Sequence, residues 1–316
     1  MKAVILDADS LGEGVDLTPL RARVDQLEVW PSTAPEQVGH RLQAADIALT
    51  NKVVLDATTI ETLPRLKLIC VMATGTNNID TESAVRHGIA VRNVAAYGTE
   101  SVAQHVMMMM LSLAVRLPLY QQDVKQGQWQ QAPFFCLMHH PVMQLSCRHL
   151  VLVGQGELGN RVAELAKAFN MKVSFAARPG NEKNDKRPSL AELAPQADVL
   201  SLHCPLTPQT THLVDKHVLG QLKDHTLLIN CARGGIIDEV AALEALEAGR
   251  LGGLGVDVLP EEPPCHGHPL LEASGRENLN LIVTPHNAWI TLQARQRIIE
   301  LSADNIDEFA VGMKLQ

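Results

Sequence analysis

The sequence predicts an α/β protein built on two doubly wound parallel sheets. Three observations carry that prediction. Short apolar runs, such as a strand covered on both faces needs, recur along the chain. Helical patterns fall between most of them, and parallel strands require such crossovers. The series breaks once, at a long apolar helix beginning near Ser101, and then starts again. With 316 residues there is room for two cores of ordinary size.

Met1 to Asp7 reads as the first strand, too short and too quickly acidic to be a signal peptide. Ala45 to Leu49 and Leu66 to Met72 follow as buried strands. Thr81 to His87 is a helix that Gly88 can end in a left-handed conformation, and Ala90 to Val94 is the next strand. The long helix from Ser101 runs through Val102, Val106, Met107 to Met110, Leu113 and Val115. Its four methionines are read as core filler, since Met fits irregular interiors, in preference to a soft-metal site.

Gln121 to Leu145 shows no clear periodicity and carries Trp129, Phe134, Phe135, His139 and His140. A stretch that long is no idle linker, and an arm across a partner subunit is expected. The second series has strands at Leu150 to Val153, Lys172 to Ala176, Val199 to His203, Thr226 to Ile229, Gly253 to Val258 and Leu281 to Val283. The last helix, Thr291 to Phe309, is expected to return to the first domain. The expected domains are therefore 1–99 with 290–316, and 100–289.

Composition narrows the function. Hydrophobic residues make up 46% and charged ones 20%, which excludes wholesale disorder. A formal net charge of −8 gives no basic field for nucleic acid or an anionic membrane. An anionic substrate would need a local cationic pocket instead. No run of about 18 apolar residues marks a membrane span. Six cysteines without CxxC pairing suit free thiols in a reducing cytoplasm.

The first chemical signal is Leu150-Val-Leu-Val-Gly154-Gln-Gly156-Glu-Leu-Gly159, a strand feeding a glycine turn and then a helix. Gly154 allows the tight turn, Gly156 lets backbone approach a pyrophosphate, and Gly159 lets helix and strand pack closely. Dinucleotide binding follows. The next strand ends at Ala177-Arg178, where an NAD site usually places Asp or Glu for the ribose 2′-hydroxyl. With the carboxylate absent, a guanidinium can hold a 2′-phosphate. NADP is therefore favoured over NAD, with Arg178 as the contact.

Three further strand ends carry polar groups. Asn230-Cys231-Ala232-Arg233-Gly-Gly follows one buried strand, Asp257-Val-Leu-Pro-Glu261-Glu262-Pro-Pro the next, and Thr284-Pro-His286 the last. A planar guanidinium at a strand's carboxyl end can grip a 2-oxo acid by its carboxylate and carbonyl oxygens. An imidazole beside a carboxylate suits proton exchange with that carbonyl.

On these three segments, and on Ala73-Thr74-Gly75-Thr76-Asn77-Asn78-Ile79-Asp80, the chain resembles the D-isomer-specific 2-hydroxyacid dehydrogenases over essentially its full length. Gly-Gln-Trp-Gln-Gln and the Glu-Glu-Pro-Pro loop look most like the glycerate dehydrogenase (hydroxypyruvate reductase) branch. The resemblance implies a flavodoxin-like substrate domain, a Rossmann dinucleotide-binding domain and catalysis in a cleft between them. It implies that Arg233 binds the substrate carboxylate, that His286 is the acid in reduction, and that Glu262 orients the imidazole. Glu262 rather than Glu261 is matched by counting back from Pro263. Backbone donors at Thr74 and Gly75 would help hold the carboxylate. Cofactor contacts would come from Glu157, Leu158, Cys204, Cys231, Ala232 and Asp257.

Reduction of hydroxypyruvate or glyoxylate by a cytoplasmic homodimer is thus expected, with NADPH or NADH. A bulkier 2-oxo acid or phosphoglycerate is the alternative substrate. A dinucleotide-sensing corepressor module, as this family also contains, is the alternative of another kind. Cys265-His266-Gly-His268 and His139-His140 look like metal ligands, but neither has a second ligand pair at a zinc-like spacing, so no metal is expected.

Overall fold

The computed structural model describes residues 1–314. The chain divides into two compact units, Met1–Gly98 with Ile290–Gln316, and Thr99–Trp289. The first unit begins with β1 (Lys2–Ile5), α1 (Thr18–Arg21), β2 (Gln26–Val29), α2 (Val38–Leu42) and β3 (Ile47–Thr50). It continues with α3 (Ala57–Glu61), β4 (Leu68–Val71), α4 (Thr81–Arg86) and β5 (Ala90–Asn93). All its strand pairs are parallel, in the order β2-β1-β3-β4-β5. This is a doubly wound, flavodoxin-like sheet.

Local chemistry explains these elements. Every residue of β3 and β4 is buried, which is why each reads as an uninterrupted apolar run. β2 has no such signal: Gln-Leu-Glu-Val lies at the sheet edge and no residue of it is fully buried. Asp80 caps α4 by accepting the Ser83 N–H at 2.8 Å, and Gly88 closes it at φ +69. Asp7, just after β1, is buried and accepts the backbone N–H groups of Asn51 (2.9 Å), Lys52 (2.6 Å) and Val53 (3.2 Å). That carboxylate locks the loops after β1 and β3 together, where the winding of the sheet reverses.

The second unit opens with α5 (Thr99–Ala114) and α6 (Leu117–Lys125), followed by β6 (His149–Val153), α7 (Glu157–Ala168) and β7 (Lys172–Phe175). Then come α8 (Leu190–Leu193), β8 (Val199–Leu202), α9 (Lys216–Leu219), β9 (Leu227–Asn230), α10 (Glu239–Glu247), β10 (Gly253–Val256), α11 (Pro269–Ala273) and β11 (Leu281–Val283). Its six strands are all parallel, in the order β7-β6-β8-β9-β10-β11. From β6 the chain winds out to β7 and then crosses back to β8. The switch point lies between β6 and β8.

Strand alternation divides the apolar side chains between two layers. Val151 and Val153 join Leu200, Leu202, Leu228 and Leu254 on one face. Leu150, Leu152, Val199, Leu227 and Ile229 meet α5 and α7 on the other. Of the four methionines in α5, Met107, Met109 and Met110 are buried, and only Met108 turns outward. Burying a side chain of that size contributes on the order of 2 kcal/mol, so core packing is what fixes the helix. Gly255 lets it lie close, because a Cβ there would come within 3.1 Å of Met109 Sδ.

One element departs from the sequence pattern. α6 extends through Gln121–Lys125, which shows no periodicity because only Leu119 and Asp123 of this helix are buried. The final helix, α12 (Leu292–Lys314), belongs to the first unit, where Ala294, Ile298, Ile299, Ser302, Ala303 and Ile306 form a buried stripe at helical spacing. It packs on α1, β4 and β5. Among the described residues no single helix is long and apolar enough to cross a membrane.

Candidate active site

The glycine turn is shaped by contacts that only hydrogen can make. Gly154 has φ +109, and a Cβ on it would lie 2.4 Å from the carbonyl oxygen of His203, just past β8. A Cβ on Gly159 would sit 2.0 Å from the Gly154 carbonyl oxygen, so α7 is seated directly on the turn. Around Gly156 the space is open, with nothing within 4 Å of a Cβ. Gly156 is the N-cap of α7, whose first N–H groups lack helical partners and form the positive end of its dipole. A pyrophosphate fits that cradle. Glu157 accepts the Thr99 hydroxyl at 2.8 Å, and Leu158 packs partly into the core, which leaves backbone N–H as its polar contribution.

Beyond β7, Ala177 is buried and its N–H donates to the Pro188 carbonyl at 2.7 Å, pinning the intervening loop at its base. Arg178 is exposed, and its backbone N–H donates to Asp185 at 2.8 Å. Asp185 is clasped by Arg187, through Nη2 at 2.5 Å and Nε at 2.9 Å. These bonds, led by the guanidinium, hold its carboxyl well below the usual carboxylate range. The other end of that guanidinium reaches back to the glycine turn, where Arg187 Nη1 donates to Gln155 Oε1 at 2.8 Å. A carboxylate does lie near this edge, but it arrives already neutralised. Sequence reasoning missed both residues, because charges in a polar loop read as solvated.

Arg233, Glu262 and His286 occupy loops after three neighbouring strands whose ends are level, with Asn230, Val256 and Val283 in register. Asn230, fully buried, shapes the first loop: Oδ1 accepts the Ala232 N–H at 3.0 Å and Nδ2 donates to the Arg233 carbonyl at 2.8 Å. Arg233 Nη1 donates to the Ala232 carbonyl at 2.6 Å. At Gly234 a Cβ would lie 2.0 Å from the Leu259 carbonyl carbon, so the first two loops are pressed together. Leu259 N–H donates to Glu262 Oε1 at 2.9 Å, and Glu262 Oε2 lies 2.5 Å from His286 Nδ1.

Asp257 supports the third loop. Its side chain is 1% exposed and accepts the Thr284 hydroxyl (2.5 Å) and the N–H groups of Asn287 and Ala288 (3.0 Å each). The His286 N–H donates to its backbone carbonyl at 2.7 Å. His286 has φ +51, a left-handed conformation that costs a non-glycine residue about 1–2 kcal/mol and that these bonds hold in place. His105 of α5 lies 3.0 Å from the Thr284 hydroxyl, and burial lowers its pKa against the pull of Asp257. In the fold the Asp257 carboxylate faces inward and holds the histidine loop.

Cys204 follows β8, and Cys231 packs its thiol 3.7 Å from Met109 Sδ. Burial pushes Cys204 up to about 11 and Cys231 well above the ordinary thiol range, so neither is poised as a nucleophile. Thr74 and Gly75 lie in the first unit after β4, where Asn93 Nδ2 holds the Thr74 carbonyl at 2.7 Å.

The chain has relatives along its whole length. Residues 107–288 match the NAD binding domain of the D-isomer specific 2-hydroxyacid dehydrogenases. The glycerate dehydrogenase of Methylorubrum extorquens is 38% identical over 98% of this chain and 96% of its own. The hydroxypyruvate reductase of Blautia hydrogenotrophica is 32% identical over 99% and 98%. Among solved structures, D-lactate dehydrogenase from Aquifex aeolicus, complexed with NAD and lactic acid, superposes with a TM-score of 0.80. It is 28% identical and covers 99% of this chain and 96% of its own.

Gly159→Ala tests the cradle. The methyl group must push α7 off the turn, so dinucleotide affinity measured by fluorescence should fall at least about tenfold, equivalent to about 1.4 kcal/mol. Unchanged affinity would mean that the turn does not carry the ligand.

Proposed function

The chain belongs to the D-isomer specific 2-hydroxyacid dehydrogenase family, and from that premise we propose that it reduces a short 2-oxo acid to the D-2-hydroxy acid. Hydroxypyruvate and glyoxylate are the favoured substrates, in keeping with the names of relatives at 32–38% identity. The observation that carries the reading is the 2.5 Å contact between Glu262 Oε2 and His286 Nδ1. It commits one imidazole nitrogen to the protein and leaves Nε2 for proton exchange with substrate.

The roles follow from the side chains. Arg233 pairs its planar guanidinium with the substrate carboxylate and polarises the carbonyl. Backbone donors at Thr74 and Gly75 add to that grip. His286 Nε2 gives its proton to the carbonyl oxygen as that oxygen gains charge, and Glu262 stabilises the imidazolium beforehand. The imidazole is left neutral and is reprotonated from solvent. A reduced nicotinamide dinucleotide, when bound, supplies the hydride to the carbonyl carbon. Gly154, Gly156 and the N–H groups of Glu157 and Leu158 would hold its pyrophosphate, with backbone at Cys204, Cys231 and Ala232 beside it.

NADP is the favoured form. Ala177 offers no carboxylate to a 2′-hydroxyl, Arg178 stands exposed beside it, and Asp185 is neutralised by Arg187. We place the enzyme in the cytoplasm, where six free cysteines stay reduced. Trp129, Phe134, Phe135, Met138 and Val142 are all more than half exposed, which supports an arm that a second copy covers in a homodimer.

Loss of nicotinamide absorbance with NADPH and, separately, NADH should be rapid with hydroxypyruvate or glyoxylate and slower with a bulkier 2-oxo acid. Arg178→Asp should turn the preference toward NADH by at least about tenfold in kcat/KM. Equal use of both cofactors by the two proteins would overturn the NADP assignment and leave the reaction standing. His286→Ala should lower kcat between about 100- and 10,000-fold while dinucleotide still binds. Normal turnover in that variant would refute its role as the acid.

A further inference from the structure

Among the described residues outside the strand-end loops, one cluster of ligand-type side chains is assembled by the fold. His139 and His140 are adjacent in the arm, three and four residues after Cys136. The structure brings Asp123, on the last turn of α6, against both. His139 Nε2 lies 2.9 Å and His140 Nε2 2.8 Å from the same oxygen, Asp123 Oδ2. All three ligand atoms fall within 4.8 Å of one another. Asp123 is buried, His140 half-buried, and His139 has 45% of its side chain exposed.

We propose that Asp123, His139 and His140 form a site for one divalent transition-metal ion, Zn²⁺ being the type. Two imidazoles and a carboxylate are the donors that borderline cations prefer, whereas Ca²⁺ and Mg²⁺ take oxygen sets. Ligands about 2.0–2.2 Å from a tetrahedral Zn²⁺ are roughly 3.3 Å apart, so the observed nitrogen-to-oxygen separations need to open by only a few tenths of an ångström. Without a cation, two rings with centroids 4.2 Å apart share one carboxylate oxygen as acceptor, and a cation would replace both protons and satisfy all three groups.

The surroundings hold the donors in place. Tyr120 packs edge-on against the His140 ring at 4.8 Å, and its hydroxyl exchanges hydrogen bonds with the His140 backbone, donating at 3.1 Å and accepting at 3.3 Å. Such orienting contacts around the ligands reduce the ordering needed on binding. Exposed His139 leaves a solvent-side position for water. Bound there, the ion would staple the arm to α6. None of its three ligands is a proton-exchange residue, and the ion takes no part in hydride transfer.

The test uses the full-length, untagged protein stripped with EDTA and titrated with Zn²⁺ by calorimetry and with Co²⁺ by visible absorption. One equivalent per chain in the micromolar range or tighter is expected. Asp123→Asn and the solvent-exposed His139→Gln should each weaken binding at least about tenfold. Cys265→Ser should leave it unchanged. Uptake only at millimolar Zn²⁺, or uptake indifferent to both His139→Gln and Asp123→Asn, would overturn the site. NADPH oxidation by the stripped protein is independent of either outcome, so the site and the dehydrogenase reading fail separately.

Discussion

The second unit's chemistry depends on one buried carboxylate, that of Asp257. With its charge removed from water, its oxygens are satisfied by the Thr284 hydroxyl and by the N–H groups of Asn287 and Ala288. An unsatisfied buried charge would be far more costly than any of these bonds is favourable, so the loop has little freedom to open. His286 is carried along in a left-handed conformation that the loop enforces. Glu262, itself anchored on the Leu259 N–H, then meets the imidazole from the adjoining loop. The placing of the imidazole is thus inherited from a buried group on the neighbouring strand end.

A similar use of one charge to fix another governs the dinucleotide edge. The sheet crosses over between β6 and β8, and the glycine turn lies there because Gly154 and Gly159 allow backbone to touch backbone. Beyond β7 the Asp185–Arg187 clasp closes the loop and links it to Gln155. The result is an edge whose Asp185 carboxylate is already paired by Arg187, with Arg178 exposed beside it. A count of acidic residues after β7 misses that pairing.

Strands covered on both faces are legible because β3, β4, β8 and β9 are buried at every position and mostly apolar. The glycine turn is legible because two close backbone approaches, at Gly154 and Gly159, and one open position, Gly156, fall within six residues. Arg233 and His286 can be placed at strand ends from the runs that precede them. β2 escapes notice as a short edge strand, and α6 because it buries so little. The roles of Asn230, Asp257, Asp185 and Asp123 were hidden for a different reason. Each acts on a loop reached only through the fold, and local pattern carries no record of such a partner.

In the proposed mechanism Glu262 holds Nδ1 of His286 so that Nε2 exchanges the proton. Nitrogen-15 NMR of histidine-labelled protein measures this directly. The neutral ring should carry its proton on Nδ1 in the parent protein, and Glu262→Ala should shift the population toward the Nε2-protonated form. A parent ring protonated on Nε2, or one indifferent to removal of Glu262, would contradict the account.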